Sequence, residues 1–424
     1  MIKKIYKFGG ASVKDAAAVR NLAEIVKQHL KDDILLVVSA MGKTTNKLEK
    51  ALANFRDHDG KLGFDVLNEV VSYHSGIIDE LFGDKADPAF VEDISSLFIE
   101  LYDKLQQTEC DYDYHYDQTV CYGEIISTTI INEYLNTHDI PCKWIDARQY
   151  VVTEGCHRAA SPDWDETRLR ISKLNDDHIR GIVCLTQGFI GGTLDGKTST
   201  TLGREGSDYT AAIFANCLDA EEVTIWKDVA GLLNADPKRF ADTVKIPHIH
   251  YSEAIELAFY GASIIHPKTI KPLQNKGIVL KVQSFVDPSL PPTLIDGEHR
   301  SDDDDIPSYI VKDNQTLVSL SPRDFSFMNE HNLKTVFTVC DDLAIHTNMI
   351  QTSALMLSFC FDGDANKLKH LRAQLKDSFS IKYNEGLQLF TVRHYGKDAD
   401  LSFIDGRRIL VQQQSRLTMQ YVVS

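Results

Sequence analysis

The sequence predicts an α/β protein in which a mainly parallel β-sheet is sandwiched by helices, followed by smaller α+β domains. Three observations predict it. Apolar strand-sized runs alternate with amphipathic helical runs through residues 1–297. Several of those strands end in glycine turns, as strands of open parallel sheets do where ligands gather. The texture then breaks at residues 298–308, where proline, glycine and the run "DDDD" mark a solvated linker. Beyond it, residues 309–424 read as paired α+β units.

The elements follow in order. Residues 2–8 are strand-like and stop at Gly9 and Gly10, with Lys7 just ahead; residues 13–26 then read as a helix. "ILLVV" at 34–38 is a continuous apolar run, suited to a strand buried on both faces, and ends in Ser39-Ala-Met-Gly. Residues 65–82 carry apolar side chains at the spacing of one helix face. Residues 122–138 are a second good helix, which places Glu124 at its start, and 140–146 a short strand. Residues 180–192 are strand then glycine turn, 207–219 helix, and 221–233 strand then turn. Residues 251–267 read as one helix stopped by Pro267, and 276–285 as the last strand before the linker. After it, 351–361 lines up weakly with 413–423, and "TLVSL" with "QLFTV", all alternating as half-buried strands do.

Composition narrows the class. A chain of 424 residues predicts two or three domains, and 43% apolar with 25% charged residues is ordinary for a soluble globular protein. The net charge of −16 argues against general nucleic-acid or anionic-membrane binding. Eight cysteines without a C-x-x-C pair suit a reducing compartment rather than a zinc or disulfide frame. "HIH" at 248–250 lacks the further acids or cysteines that a metal site would want, and reads as structural. No segment reads as a signal peptide or a membrane span, so the expected location is cytoplasmic.

The chemistry concentrates in the loops. Glycines let backbone amides approach a ligand, and Lys7 adds a full charge, so "KFGG" reads as a phosphate site or as a plain tight turn. "TSTTLGREGSDYTAA" at 198–212 leads into a helix with Arg204, Ser207 and Asp208 at its mouth. Ser207 and Asp208 could simply be caps. Arg204 offers a fork for a carboxylate or phosphate. Glu124 could cap a helix or hold an ammonium group. A zwitterionic amino acid beside a nucleotide would satisfy all of these. No G-x-x-x-x-G-K-[ST], H-R-D or D-F-G is present, which excludes P-loop enzymes and protein kinases.

"KFGGASV", "VVSAMGKTTN", "CYGEIIST", "TQGFIGG", "TTLGREGSDYTAA", "WKDVAGLLNADPK" and "YGASIIHPKT" together resemble the aspartate kinases, members of the amino-acid kinase superfamily, in order and spacing over residues 1–297. Residues 309–424 resemble, more loosely, the paired ACT regulatory domains of that family. The resemblance implies the amino-acid kinase fold and ATP-dependent phosphorylation of the β-carboxylate of L-aspartate. It implies that Lys7, Gly9 and Gly10 hold the transferring phosphate and that Ser39 and Thr45 line the site, Thr45 touching substrate. Glu124 and Asp208 would bind the α-ammonium, Arg204 the α-carboxylate, with Ser207 beside them. Lys227, Asp228, Lys238 and Ser263 would lie toward ATP. Mg²⁺ would come with the ATP phosphates, without protein ligands. A homodimer is implied, with feedback by lysine or threonine at Asn348, Thr352 and Ser353.

Several positions depart from the family pattern. Glu205 stands where a glycine is usual, Lys238 where arginine is, and Leu233 where a nucleotide-contacting tyrosine is. Ser263 replaces a lysine, for which Lys268 could substitute. The first ACT-like unit lacks its usual glycine-led helix. These departures keep two alternatives in view: a catalytically weak amino-acid-binding regulatory protein of the same fold, and another amino-acid kinase.

Overall fold

The computed structural model describes residues 1–57, 60–176, 179–262, 265–300, 306–396 and 399–424. By contacts the chain divides into two compact units. The first holds Met1–Leu232, Lys245–Ile255 and Ile265–His299; the second holds Leu233–Val244, Glu256–Ile264 and Arg300–Ser424. Two short pieces of the region before the linker thus belong with the C-terminal part.

In the first unit, the strands are β1 (Lys4–Phe8), β2 (Ile34–Val38), β3 (Cys142–Ile145), β4 (Val152–Thr153), β5 (Val183–Gln187), β6 (Ile190–Thr193), β7 (Ser199–Thr201), β8 (Glu222–Lys227), β9 (His248–His250), β10 (Val279–Ser284) and β11 (Thr293–Asp296). The main sheet runs β3-β5-β2-β1-β8-β10-β11-β9, and β4, β6 and β7 form a small second sheet. Among the described residues, only β10 and β11 pair antiparallel in the main sheet. The apolar run of β2 is buried at every position, as a strand covered on both faces must be. Phe8 is in register with Val38 and with Trp226, and Val38 with Gln187. The loops after β1, β2, β5 and β8 therefore leave one edge of the sheet side by side, which is what lets distant segments build one site.

The helices are α1 (Ala16–Gln28), α2 (Thr44–Arg56), α3 (Gly60–Phe82), α4 (Pro88–Leu105), α5 (Tyr112–Thr137), α6 (Ala147–Tyr150), α7 (Trp164–Asp176), α8 (Gly206–Leu218), α9 (Tyr251–Tyr260) and α10 (Pro267–Gln274). Three readings of the sequence are corrected here. The first helix begins at Ala16, capped by Asp15, after a 3₁₀ turn over Gly10–Val13, so the paired glycines do not open it. The helix containing Glu124 begins at Tyr112, with the Asp111 carboxylate accepting from the N–H groups of Asp113 and Tyr114. Glu124 thus sits in mid-helix and cannot be a cap. This helix is buried nearly all round, so it shows no amphipathic stripe from which its start could be read. The helix expected over 251–267 is two: α9 ends at Tyr260, followed by Gly261 at φ +107°. Pro267 opens α10 rather than stopping α9, because a first-turn proline forfeits no helical hydrogen bond.

The second unit has one six-stranded antiparallel sheet of β12 (Ser308–Pro322), β13 (Thr347–Thr352), β14 (Leu357–Asp362), β15 (Phe379–Arg393), β16 (Ile409–Gln414) and β17 (Thr418–Val423). Its order, β13-β14-β12-β15-β17-β16, is symmetric about the long central pair. The β13–β14 and β16–β17 hairpins occupy equivalent places, which accounts for the weak repeat. The two halves share strands but not helices. Helices α11 (Glu330–Asp342) and α12 (Ala365–Leu375) pack their apolar sides on the first half, against Val318, Leu320, Phe359, Phe361 and Phe379. Among the described residues no α-helix follows α12; a 3₁₀ turn, Ser402–Ile404, is found there. The helix that the sequence lacked a glycine to open is nonetheless present. Asn329 caps it, its side chain accepting from the N–H of Asn332.

All eight cysteines are free. His248 bonds the Asp296 carboxylate at 2.8 Å between neighbouring strands, consistent with a structural histidine. Among the described residues, no group of three or more His, Cys, Asp or Glu could hold a metal, and no helix is long and apolar enough to cross a membrane.

Candidate active site

The loops at the sheet edge line an open cavity of about 510 Å³ in the first unit. Lys7, Gly10, Ser39, Thr45, Glu124 and Arg204 line it, with Ser207 and Asp208 from the first turn of α8. Segments separated by up to two hundred residues are brought together because β1 and β2 are neighbours while α5 and α8 flank them. A Cβ at Gly10 would stand 2.7 Å from the Gly42 oxygen and 2.8 Å from that of Ala40. Only glycine lets the loops after β1 and β2 close to this separation, where the Gly42 N–H donates to the Gly10 carbonyl. Gly10→Ala is expected to destabilise the fold by about 1–3 kcal/mol, the usual cost of overpacking. The guanidinium unfolding midpoint should fall; an unchanged midpoint would show that these loops relax freely.

Charge in the cavity is arranged in pairs and in gaps. Lys7 Nζ lies 2.6 Å from the Asp208 carboxylate, with side-chain exposures of 12% and 6%. Asp208 and Ser207 do not cap their helix: its N-cap is Glu205, in the left-handed region at φ +54°, and no side chain caps it. That frees Asp208 to meet the lysine. Glu205 is an extra carboxylate at this loop, but one of its oxygens accepts from the N–H of His266 at 2.8 Å. Arg204 is exposed at the cavity and has no acidic partner among the described residues.

Glu124 is the most unusual group. It is 3% exposed. One oxygen receives only long contacts of 3.4 Å, from the Ala40 N–H and the Thr45 hydroxyl. The other oxygen is buried without a hydrogen-bond partner. Burial pushes its pKa up to about 8, against partial relief from those contacts. A carboxylate held this way gains a great deal from an incoming cation that can donate to its vacant oxygen.

The remaining expected residues are distributed as follows. Gly9 precedes Gly10, and a Cβ there would approach Lys7 Nζ at 3.2 Å. Lys227 ends β8 and Asp228 follows it, beside β1 but outside the cavity lining. Lys238 belongs to the second unit, as does Leu233. Ser263 lies outside the described residues, and Lys268 is exposed in the first turn of α10. In the second unit, Asn348 is already committed. Its amide accepts from Lys312 at 2.7 Å and donates to Gln315 and Asp362. Thr352 and Ser353 are exposed at the β13–β14 hairpin.

Sequence reading overlooked Arg158. It reaches the cavity from the loop after β4 at φ +63°, its guanidinium 4.4 Å over the Tyr116 ring and 3.1 Å from Glu49. Its backbone N–H donates to the buried Asp117 carboxylate, which also accepts from Thr201 at 2.6 Å and contacts His157 at 2.9 Å. No motif marks it. Phe189 and Asn46, also in the lining, lie inside motifs already singled out.

The model of the amino acid kinase family matches residues 3–284. The chain is similar to a bifunctional aspartokinase/homoserine dehydrogenase 2, chloroplastic, of Zea mays, at 27% identity over 388 residues, covering 88% of this chain and 41% of that protein. It thus spans about two fifths of that relative's length. Among solved structures, E. coli aspartokinase III in complex with aspartate and ADP (R-state) superposes with a TM-score of 0.84 at 26% identity, covering 100% of this chain and 96% of that one. The same enzyme in complex with lysine and aspartate (T-state) gives 0.80 at 26% identity, covering 99% and 96%.

Proposed function

The chain belongs to the amino acid kinase family, and from that premise we propose that it phosphorylates the β-carboxylate of L-aspartate. ATP would be the donor, and ADP and 4-phospho-L-aspartate the products, at the head of the route to lysine, threonine and methionine. The observation that carries this reading is Glu124: a buried carboxylate with a vacant oxygen, in one cavity with a free arginine and a lysine-glycine cradle. An ammonium group at Glu124 and an α-carboxylate at Arg204 describe an amino acid, and Lys7 with Gly9 and Gly10 describes a phosphate. Ser39, Thr45 and Ser207 line the space between, and Lys227 and Asp228 extend toward the nucleotide. The complex of aspartokinase III with aspartate and ADP supports the same pairing of ligands.

The nucleophile is the substrate's own β-carboxylate, ionised at neutral pH because its pKa is roughly 4. An oxygen of that carboxylate forms the new bond to phosphorus as the bond to the ADP oxygen breaks, and no base is required. The obstacle is repulsion between two anions, so charge neutralisation and alignment dominate. Lys7 supplies positive charge where the phosphoryl group passes, and it must exchange its ion pair with Asp208 for the phosphate. Asp208 is then released toward the substrate ammonium. Mg²⁺ would arrive with the ATP phosphates and offset their charge. ADP release measured with L-aspartate against L-glutamate tests the assignment. Turnover is expected with aspartate; equal or greater turnover with glutamate would overturn it.

Residues 1–297 are proposed as the catalytic domain, 298–308 as linker and 309–424 as a regulatory region that binds lysine or threonine in a homodimer. The lysine complex of aspartokinase III supports this, as does the pairing of two similar hairpins in one sheet. Thr352 and Ser353 would contact the effector, while Asn348 would anchor β13. Activity with aspartate near its KM should fall on titration with lysine or threonine, since an effector shifts a population only by preferring the inactive state. Flat responses to lysine, threonine and methionine, with no heat of binding, would sink the feedback reading and leave the kinase reading intact.

A further inference from the structure

We propose that the second unit binds a small polyanion, a metabolite bearing phosphate or polyphosphate, in a pocket formed by Arg323, Lys369, Arg372, Lys376, Phe379 and Ile381. The pocket measures about 380 Å³. Arg323 follows β12; Lys369 and Arg372 project from α12, whose C-cap is Lys376; Phe379 and Ile381 come from β15. Four cations therefore converge on one concavity of a chain whose net charge is −16. Bulk composition does not supply such a cluster; local placement does.

The sequence of α12 sharpens the point. Over Ala365–Leu375 it contains lysines and an arginine but no acid. Lys369, Arg372, Ala373 and Lys376 fall at i, i+3, i+4 and i+7, so they share a face, and like charges at that spacing repel. Ala373 makes the face concave where a longer side chain would fill it. None of the four cations has an acidic partner among the described residues. Some other surface cations of this protein do, as in Lys3 with Glu221, Lys47 with Glu69 and Arg239 with Asp313.

Two of the cations are held in place. Arg323 donates from Nε to the Lys376 carbonyl at 2.8 Å, and its backbone N–H bonds the Ser378 carbonyl. The Arg372 guanidinium lies 4.6 Å over the Tyr383 ring and donates to its hydroxyl at 3.2 Å. A guanidinium fixed by one contact keeps its other N–H groups for a ligand. Compensation of the helix dipole would explain Lys376 and Arg372, which sit in the last turn. It does not explain Lys369, further back, or Arg323, which is on another element. The concavity, and the exposed Asp324 and Asp377 next in sequence to Arg323 and Lys376, favour a compact ligand over an extended nucleic acid or a membrane.

The test is calorimetric titration of the full chain with inorganic pyrophosphate, orthophosphate and citrate. To silence the first unit's cavity, it is repeated in Lys7→Met/Asp208→Asn/Arg204→Ala, which leaves no buried carboxylate without its lysine. Pyrophosphate should bind in both backgrounds, more tightly than citrate, and weaken as NaCl rises. Arg372→Ala/Lys376→Ala should lower that affinity at least tenfold, and the charge-keeping Arg372→Lys/Lys376→Arg should retain most of it. All four side chains are exposed, so circular dichroism should show both variants folded. Undiminished pyrophosphate binding in Arg372→Ala/Lys376→Ala would overturn the site, and citrate binding as tightly as pyrophosphate would overturn phosphate as the ligand chemistry. Binding of phosphatidylserine vesicles or duplex DNA through these residues, with pyrophosphate ignored, would overturn the small ligand in favour of a macromolecule.

Discussion

Replacing Lys7 with methionine is expected to lower kcat on the order of 100-fold or more while changing the KM for aspartate little. The ammonium of Lys7 stands beside the glycine cradle, and it would face charge that moves in the transition state. Methionine keeps the length and apolar stem and removes only the charge. A second effect must be separated from the first. Lys7 is paired with Asp208 at 2.6 Å, and both side chains are largely buried. Removing one partner leaves a buried carboxylate unpaired, which is strongly destabilising in general. Lys7→Met/Asp208→Asn removes that penalty and should recover thermal stability without recovering turnover. Near-normal kcat in Lys7→Met would remove the lysine from the chemistry.

Glu124→Gln is expected to raise the KM for aspartate roughly 10- to 150-fold, about 1.5–3 kcal/mol for a hydrogen bond to a charged group. ATP binding should be unaffected. The pH profile gives a sharper reading. Burial raises the Glu124 pKa to about 8, so below pH 8 the empty cavity holds mostly the protonated acid. Binding an ammonium group requires the ionised form, so a proton must leave. Apparent affinity for aspartate should therefore improve as pH rises from 6 to 8, by up to about tenfold per pH unit. Calorimetry at pH 7 in buffers of differing ionisation enthalpy should register proton release, and Glu124→Gln should abolish both effects. A flat profile in the wild-type chain would mean that Glu124 does not receive the ammonium.

Much of the site was legible because its motifs are local. Lys7 with Gly9 and Gly10, Thr45 in "GKTTN", and Arg204 with Ser207 and Asp208 each lie within one short stretch from the end of a strand to the start of the helix that follows it. The same pattern that marks the strand marks the residues after it. Arg158 was not legible. It comes from a loop with no motif, and only the network through Asp117, His157 and Thr201 brings it to the cavity. The placement of Glu205 was not legible either: its carboxylate accepts from the N–H of His266, a partner sixty-one residues away.

By itself the sequence determined the α/β class, the alternation of strand and helix along the chain, the change of texture at 298–308 and most of the loop residues that line the cavity. These depend on periodicity, turn chemistry and short motifs, all fixed by near neighbours in the chain. Tertiary structure alone decided that Glu124 is a buried mid-helix acid, because burial of α5 depends on what surrounds it. It decided that Pro267 begins a helix, since proline is compatible with either side of a boundary. It also decided that Asn348 is committed to Lys312, Gln315 and Asp362, and that Arg323 joins the cations of α12. Hydrogen bonding and electrostatics act through space, and for Glu124, Asn348 and Arg323 the partners are distant in sequence.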